Sequence, residues 1–128
     1  GSFIMLCKKK GMLLLSCNKN VIDIKRKTIS QKGTIVGGLE LHRKMISNLA
    51  IKLKRGFPGL FGYIGVDILM IEGRWKILEV NTRFTSSFVG LEEAYGSSAL
   101  KKITNLYLNK KIDKKIDKLI KQKRIKFN

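Results

Sequence analysis

The sequence predicts an α+β domain, a mostly antiparallel sheet covered by helices. Three observations carry that expectation. Short apolar runs near the N-terminus are broken by turn residues, the apolar period lengthens to a helical one from Leu39, and two further apolar strands flank the turn Glu72-Gly73-Arg74. With 128 residues, 44% of them hydrophobic, the chain suffices for one modest core and is not disordered. No apolar run approaches the length of a membrane span, and the Met12–Leu15 run after Lys8–Lys10 is too short for a signal peptide.

Phe3–Lys8 and Met12–Cys17 read as a hairpin about Lys9-Lys10-Gly11. Val21–Ile29 alternates apolar Val21, Ile22 and Ile24 with charged Asp23, Lys25 and Arg26, a third strand. Gly33, Gly37 and Gly38 mark a loop around Thr34–Val36. Leu41, Met45, Leu49, Ile51 and Leu53 fit one face of a helix that Gly56-Phe57-Pro58-Gly59 stops. Phe61–Ile71 is a long strand and Trp75–Asn81 its partner. Residues 82–88 read as a loop, Val89–Tyr95 as a short helix and Ser97–Leu108 as a longer one, with Ser97 or Ser98 as N-cap. Ile112, Ile116, Leu119 and Ile120 recur at helical spacing between lysines, so residues 110–128 are expected to form a basic amphipathic helical tail on a domain covering 3–109. Gly1-Ser2 reads as a cloning remnant with no initiator Met, which points to the C-terminal part of a longer protein.

The formal net charge is +18, and its distribution is uneven. Residues 101–128 hold ten lysines and Arg124 against Asp113 and Asp117. Residues 62–99 hold Arg74, Lys76 and Arg83 against Asp67, Glu72, Glu79, Glu92 and Glu93. A locally acidic centre in a basic chain is where a cation site is expected. The basic excess supports a second reading, a nucleic-acid-binding module, or a tail helix lying on an acidic membrane or partner. Lysine predominates over arginine, which fits solvation better than base reading. Cys7 and Cys17 lack CxxC spacing and His42 is the sole histidine, so no zinc site is predicted. Both cysteines sit in strand-like apolar runs as buried free thiols, which fits a cytoplasmic location.

Asp67 lies in the middle of an apolar strand, where a lone charge is costly. Counting outward from the turn brings Glu79 roughly opposite Asp67, and Asn81, two residues on, shares the face of Glu79. Like charges facing each other destabilise a sheet unless a cation lies between them. Carboxylate and amide oxygens are the ligands Mg²⁺ selects. Arg83, two residues further, is placed to meet an anion on that metal. The arrangement reads as a metal–phosphate site. Its bland competitor is a surface hairpin with solvated charges.

Gly62-Tyr63-Ile64-Gly65-Val66-Asp67-Ile68-Leu69 followed by Ile77-Leu78-Glu79-Val80-Asn81-Thr82-Arg83 resembles the end of an ATP-grasp domain. That superfamily's signature is an Asp on one strand and Glu-x-Asn on the next. The Glu-x-Asn-x-Arg form resembles the biotin carboxylase and carbamoyl-phosphate synthetase branches. The continuation Phe84-Thr85-Ser86-Ser87-Phe88-Val89-Gly90-Leu91 resembles archaeal carboxylate–amine ligases such as tyramine–glutamate ligase. The resemblance implies that Asp67 and Glu79 bind Mg²⁺ (or Mn²⁺ in its place), that Asn81 completes a metal shell and contacts ATP, and that Arg83 is catalytic, contacting the transferred phosphate or the acyl-phosphate. It implies an ATP-dependent ligase acting on a small carboxylate and an amine through an acyl-phosphate. The nucleotide-binding parts would come from an N-terminal remainder of the same enzyme, so the isolated chain is expected to be inactive. Two departures narrow the branch. Gly65 stands where D-alanine–D-alanine ligase has an Arg, and Phe84–Phe88 offers only Thr and Ser where biotin carboxylase has a Glu-His pair. Bicarbonate chemistry is therefore not expected.

Overall fold

In the computed structural model, which describes residues 1–127, the strands are β1 (Ser2–Lys8), β2 (Gly11–Lys25), β3 (Thr28–Val36), β4 (Gly62–Ile71), β5 (Arg74–Asn81) and β6 (Lys123–Lys126). They form one sheet in the order β5-β4-β1-β2-β3-β6, with every neighbouring pair antiparallel. The helices are α1 (Arg43–Gly56), α2 (Leu91–Tyr95) and α3 (Ser97–Asn109), with 3-10 turns at Glu40–His42 and Ser86–Gly90. The α+β class predicted from the sequence is the one observed.

β1 is buried on both faces, so the sheet is covered on both sides. Phe3, Met5 and Cys7 join Ile64, Val66 and Ile68 of β4 beneath Ile46, Ala50 and Leu53 of α1. Ile4 and Leu6 join Tyr63 beneath Leu91, Ala94 and Tyr95 of α2 and Ala99, Ile103 and Leu106 of α3. Packing rather than capping holds α1. His42 makes no side-chain cap bond, which forgoes about 1 kcal/mol. Burying Ile46 and Leu53 contributes about 2 kcal/mol each.

Several elements differ from the sequence expectation. β2 is one strand of 15 residues that runs through Lys19 and Asn20, because bulges at Ile4/Met5 and Val21/Ile22 let it bend without ending. Thr34–Val36 is strand, not loop, since it pairs with β2 on one side and β6 on the other. The buried stripe of α1 is Ile46, Ala50 and Leu53, whereas Leu41 is fully exposed and Met45 half-exposed. The 3-10 turn rotates the helix entry, and Arg43 fixes it by donating to the carbonyls of Leu14 and Leu15 at the β-bulge, at 2.9 and 3.1 Å. The same guanidinium pairs with Glu40 at 2.7 Å, and Glu40 also accepts from the Tyr95 hydroxyl. Neither Ser97 nor Ser98 caps α3. Gly96, at φ 89°, holds the N-cap position and Ser98 donates to Asp117 instead.

Among the described residues the helix predicted for the 110–128 tail is absent, its last residue lying outside them. Residues 110–122 form no regular element, and Lys123–Lys126 adds an edge strand to β3. The helical spacing yields to two stronger constraints. Ile112, Leu119 and Ile125 pack on the second core, and Asp117 pairs with buried Lys102 at 2.8 Å while Lys102 also donates to the Lys115 carbonyl. The tail is thus part of the domain rather than an appendage. Its close approach requires a missing side chain at Gly33, where a Cβ would run into the Ile125 carbonyl, and at Gly37, where it would meet Leu119.

Two outcomes follow from these contacts. Arg43→Ala strands two bulge carbonyls and a half-buried carboxylate, so denaturant unfolding should show a loss of about 2–4 kcal/mol with an unchanged m-value. A loss below about 0.5 kcal/mol would remove Arg43 from the framework. Gly33→Ala should free β6, seen as lost hydrogen-exchange protection of the Phe127 amide, which donates to Lys32 at 2.8 Å, while β1–β2 protection persists.

Candidate functional site

The β4–β5 register brings the acidic residues together. Asp67 pairs directly with Glu79, and Gly65 pairs with Asn81. A bulge between Asp67 and Ile68 is absorbed by Leu78, which turns outward and is 61% exposed. Asp67, Glu79 and Asn81 therefore share the sheet face that α2 and α3 cover further along, while Val66 and Val80 face α1. Asn81 Nδ2 donates to Asp67 Oδ2 at 3.3 Å. Asp67 is half-buried, Glu79 exposed.

Burial, and next the Glu79 carboxylate, push the Asp67 carboxyl above its ordinary value of 3.8; the Gly1 amino group, the Asn81 bond and Arg83 oppose the rise. This donor set fits a divalent cation. A positive charge between the two carboxylates would screen the Glu79 repulsion and offset the cost of burial. Among the described residues no three carboxylate, imidazole or thiol groups cluster. Two carboxylates and one amide suit Mg²⁺, which binds few protein ligands and leaves positions for water and phosphate oxygens.

A cavity of about 340 Å³ opens beside this pair. Asp67, Asn81 and Arg83 line one side of it; Glu79 lies outside its rim. Arg83 is exposed, and its guanidinium donates to the Phe84 carbonyl at 3.2 Å. The chain then folds back over β4. Thr85 sits against Gly65, where any Cβ would collide with its methyl group, and bonds the Tyr63 hydroxyl at 3.0 Å. Burial pushes the Tyr63 phenol up to about 12, so it stays neutral and serves as a fixed support.

The sequence reasoning missed Thr85, Ser86 and Ser87 as lining residues, although three consecutive hydroxyl residues after Arg83-Phe84 were a usable signal. It also missed Asn20, Gln31 and Thr34, which come from β2 and β3 and reach the cavity only through sheet order. The sole histidine and the sole tryptophan take packing positions. His42 packs edge-on against Trp75 at 5.7 Å, and Trp75 packs on the α1-side core. Cys7 and Cys17 are free and buried, and burial pushes their thiols up to about 11 and about 12, so neither is a nucleophile at neutral pH. No helix among the described residues is long and apolar enough to cross a membrane.

Comparison with known proteins places the chain among its relatives. Tyramine–L-glutamate ligase of Methanocaldococcus jannaschii is 32% identical over 74 residues, covering 56% of this chain and 24% of that protein. The tyramine–L-glutamate ligase of Methanocaldococcus fervens is 29% identical over 99 residues, covering 73% of this chain and 34% of that protein. The chain thus spans between about a quarter and a third of the length of these relatives. A family model described as the ATP-grasp domain matches residues 1–87, a stretch that holds β1 to β5, Asp67, Glu79, Asn81 and Arg83. The chain belongs to the ATP-grasp family.

Proposed function

We propose that this chain supplies the metal- and phosphate-binding end of an ATP-dependent carboxylate–amine ligase. The observation that carries the reading is the direct pairing of Asp67 with Glu79, with the Asn81 amide on Asp67 and Arg83 beside the same cavity. The relatives are tyramine–L-glutamate ligases, and this chain is read as part of a longer enzyme that joins a carboxylate to an amine.

Asp67, Glu79 and Asn81 would hold Mg²⁺, which when bound neutralises phosphate charge and orients the ATP phosphates. Arg83 binds the phosphoryl oxygens of ATP and then of the acyl-phosphate. The substrate carboxylate attacks the γ-phosphorus of ATP and releases ADP, giving the acyl-phosphate. The amine then attacks the acyl carbon and phosphate leaves. No protein nucleophile is needed, in keeping with the protonated, buried cysteines. The Thr85–Ser87 segment walls the cavity with hydroxyls, and the neutral Tyr63 phenol holds Thr85 in place. The remaining substrate contacts come from the rest of the enzyme, so residues 1–128 alone should not form amide. ATP-dependent amide formation by this chain in a coupled assay would overturn that part of the reading.

Amide NMR with Mn²⁺ and ADP tests the metal assignment. Signals of Asp67 and Glu79–Arg83 should broaden first, and Glu79→Gln should weaken the effect at least about tenfold. Broadening confined to other segments would defeat it.

The sign of the Asp67 shift gives a second test. Its folded value is raised, so between 3.8 and that value the folded chain holds the proton that the unfolded chain has lost. Without metal, stability therefore falls as pH rises through this window. Asp67→Asn should raise the metal-free melting temperature by about 1–3 °C at neutral pH and leave it unchanged well below 3.8. Added Mg²⁺ should stabilise the parent chain and not the variant. A lower melting temperature for metal-free Asp67→Asn at neutral pH would contradict this account of a carboxylate strained by burial and by Glu79.

A further inference from the structure

We propose that the hollow at the far end of β4, between the β1–β2 turn and the end of α3, binds single-stranded nucleic acid. Lys8, Lys9, Lys10, Lys110 and Phe61 line a space of about 540 Å³. Among the described residues none of these four lysines pairs with a carboxylate. Four ammonium groups that line one hollow with no anion among them repel one another, and a run of phosphates relieves that repulsion.

The second half of the argument is aromatic. Phe61 is 45% exposed and meets Tyr107, equally exposed, edge-on at 6.2 Å. Tyr107 in turn lies 6.2 Å from Phe84, which is 51% exposed. Single exposed apolar residues are ordinary, but a contiguous row beside unpaired cations marks an interaction surface. Lysines that track phosphates next to rings that take bases are the combination single-strand binders use. A duplex keeps its bases stacked and offers the rings nothing. An acidic protein segment satisfies the lysines but leaves the rings unused. The location also separates this surface from the metal site. On β1, Cys7 pairs with Gly62 at the hollow, whereas Ser2 pairs with Asp67 at the other end. The lysine hollow therefore does not rest on the ligase reading, although the row of rings ends at Phe84, next to Arg83.

Fluorescence anisotropy of a labelled oligouridylate of about 15 nucleotides, titrated with the 128-residue chain over a salt series, tests the surface. Neutralising four phosphates gives a slope of log K against log salt of about −3. Lys9→Gln with Lys10→Gln, both in an exposed turn, should bring it to about −1.5. Phe61→Ala should weaken binding at least about fivefold without changing the slope. Heparin and polyglutamate, which lack bases, should bind more weakly and be indifferent to Phe61→Ala. Affinity that survives the lysine pair, or a slope carried by the lysines of residues 111–126, overturns the proposal. Equal binding of polyglutamate assigns the surface to an acidic protein partner instead, and equal binding of duplex removes the role of the rings.

Discussion

The constraint on which the rest of this structure depends is that β1 has no polar face. Phe3 to Cys7 are all fully buried, alternating between the two cores. Such a strand must lie inside the sheet with a layer on each side. Placing it there puts β2 on one flank and β4 on the other, and it requires α1 on one face and the α2–α3 pair on the other. The helices on the second face cover only part of it. Beyond their edge the residues on that face turn from Ile4 and Tyr63 to Ser2, Gly65 and Asp67. The cavity begins where the second core ends.

Charge then gives the open end its chemistry. Asp67 is held opposite Glu79 by the backbone register, so the two carboxylates start from neighbouring positions on one sheet face. The bulge at Leu78 places its extra residue outside the face and preserves the Asp67–Glu79 pairing next to it. Gly65 contributes by lacking a side chain. Its empty position admits Thr85, which brings the chain after Arg83 back over β4 and makes the third wall of the cavity. Strand register, one bulge and one glycine together aim donors from three separate stretches at a single volume.

Those features differ in how visible they are in sequence. The β4–β5 hairpin was legible because its turn is short, its strands are apolar, and counting outward from Glu72-Gly73 fixes Asp67 near Glu79 within a residue or two. The hairpin of β1 and β2, the helix α1 and the α2–α3 pair were legible for similar local reasons. The rotation of α1 was not, because it is set by Arg43 reaching carbonyls 28 and 29 residues earlier in the chain. Nor were the cavity contributions of Asn20, Gln31 and Thr34, which depend on strands being neighbours across the sheet. The tail misled for an instructive reason. Its isoleucines and leucine do recur at helical spacing, yet that pattern describes a preference worth tenths of a kcal/mol per residue. Burying Leu119 and Ile125 on the second core and pairing Lys102 with Asp117 outweigh it.

The same tail shows why a net charge read from composition overstates what a surface offers. Lys102 is only 5% exposed and holds Asp117, and Lys123 holds Glu93 at 2.7 Å. Arg43 is taken by Glu40 and two carbonyls. These cations join one part of the chain to another and are not offered outward. Lys8, Lys9, Lys10 and Lys110, drawn from two distant segments, are left facing one hollow. At the other end of β4 the acidic pair stands in the converse position, two anions held together by the backbone with an arginine at the rim of the adjoining cavity. The acidic pair and the lysine hollow are thus two places where like charges are held together by the fold, each completed by a ligand of opposite sign, and they lie half the length of β4 apart.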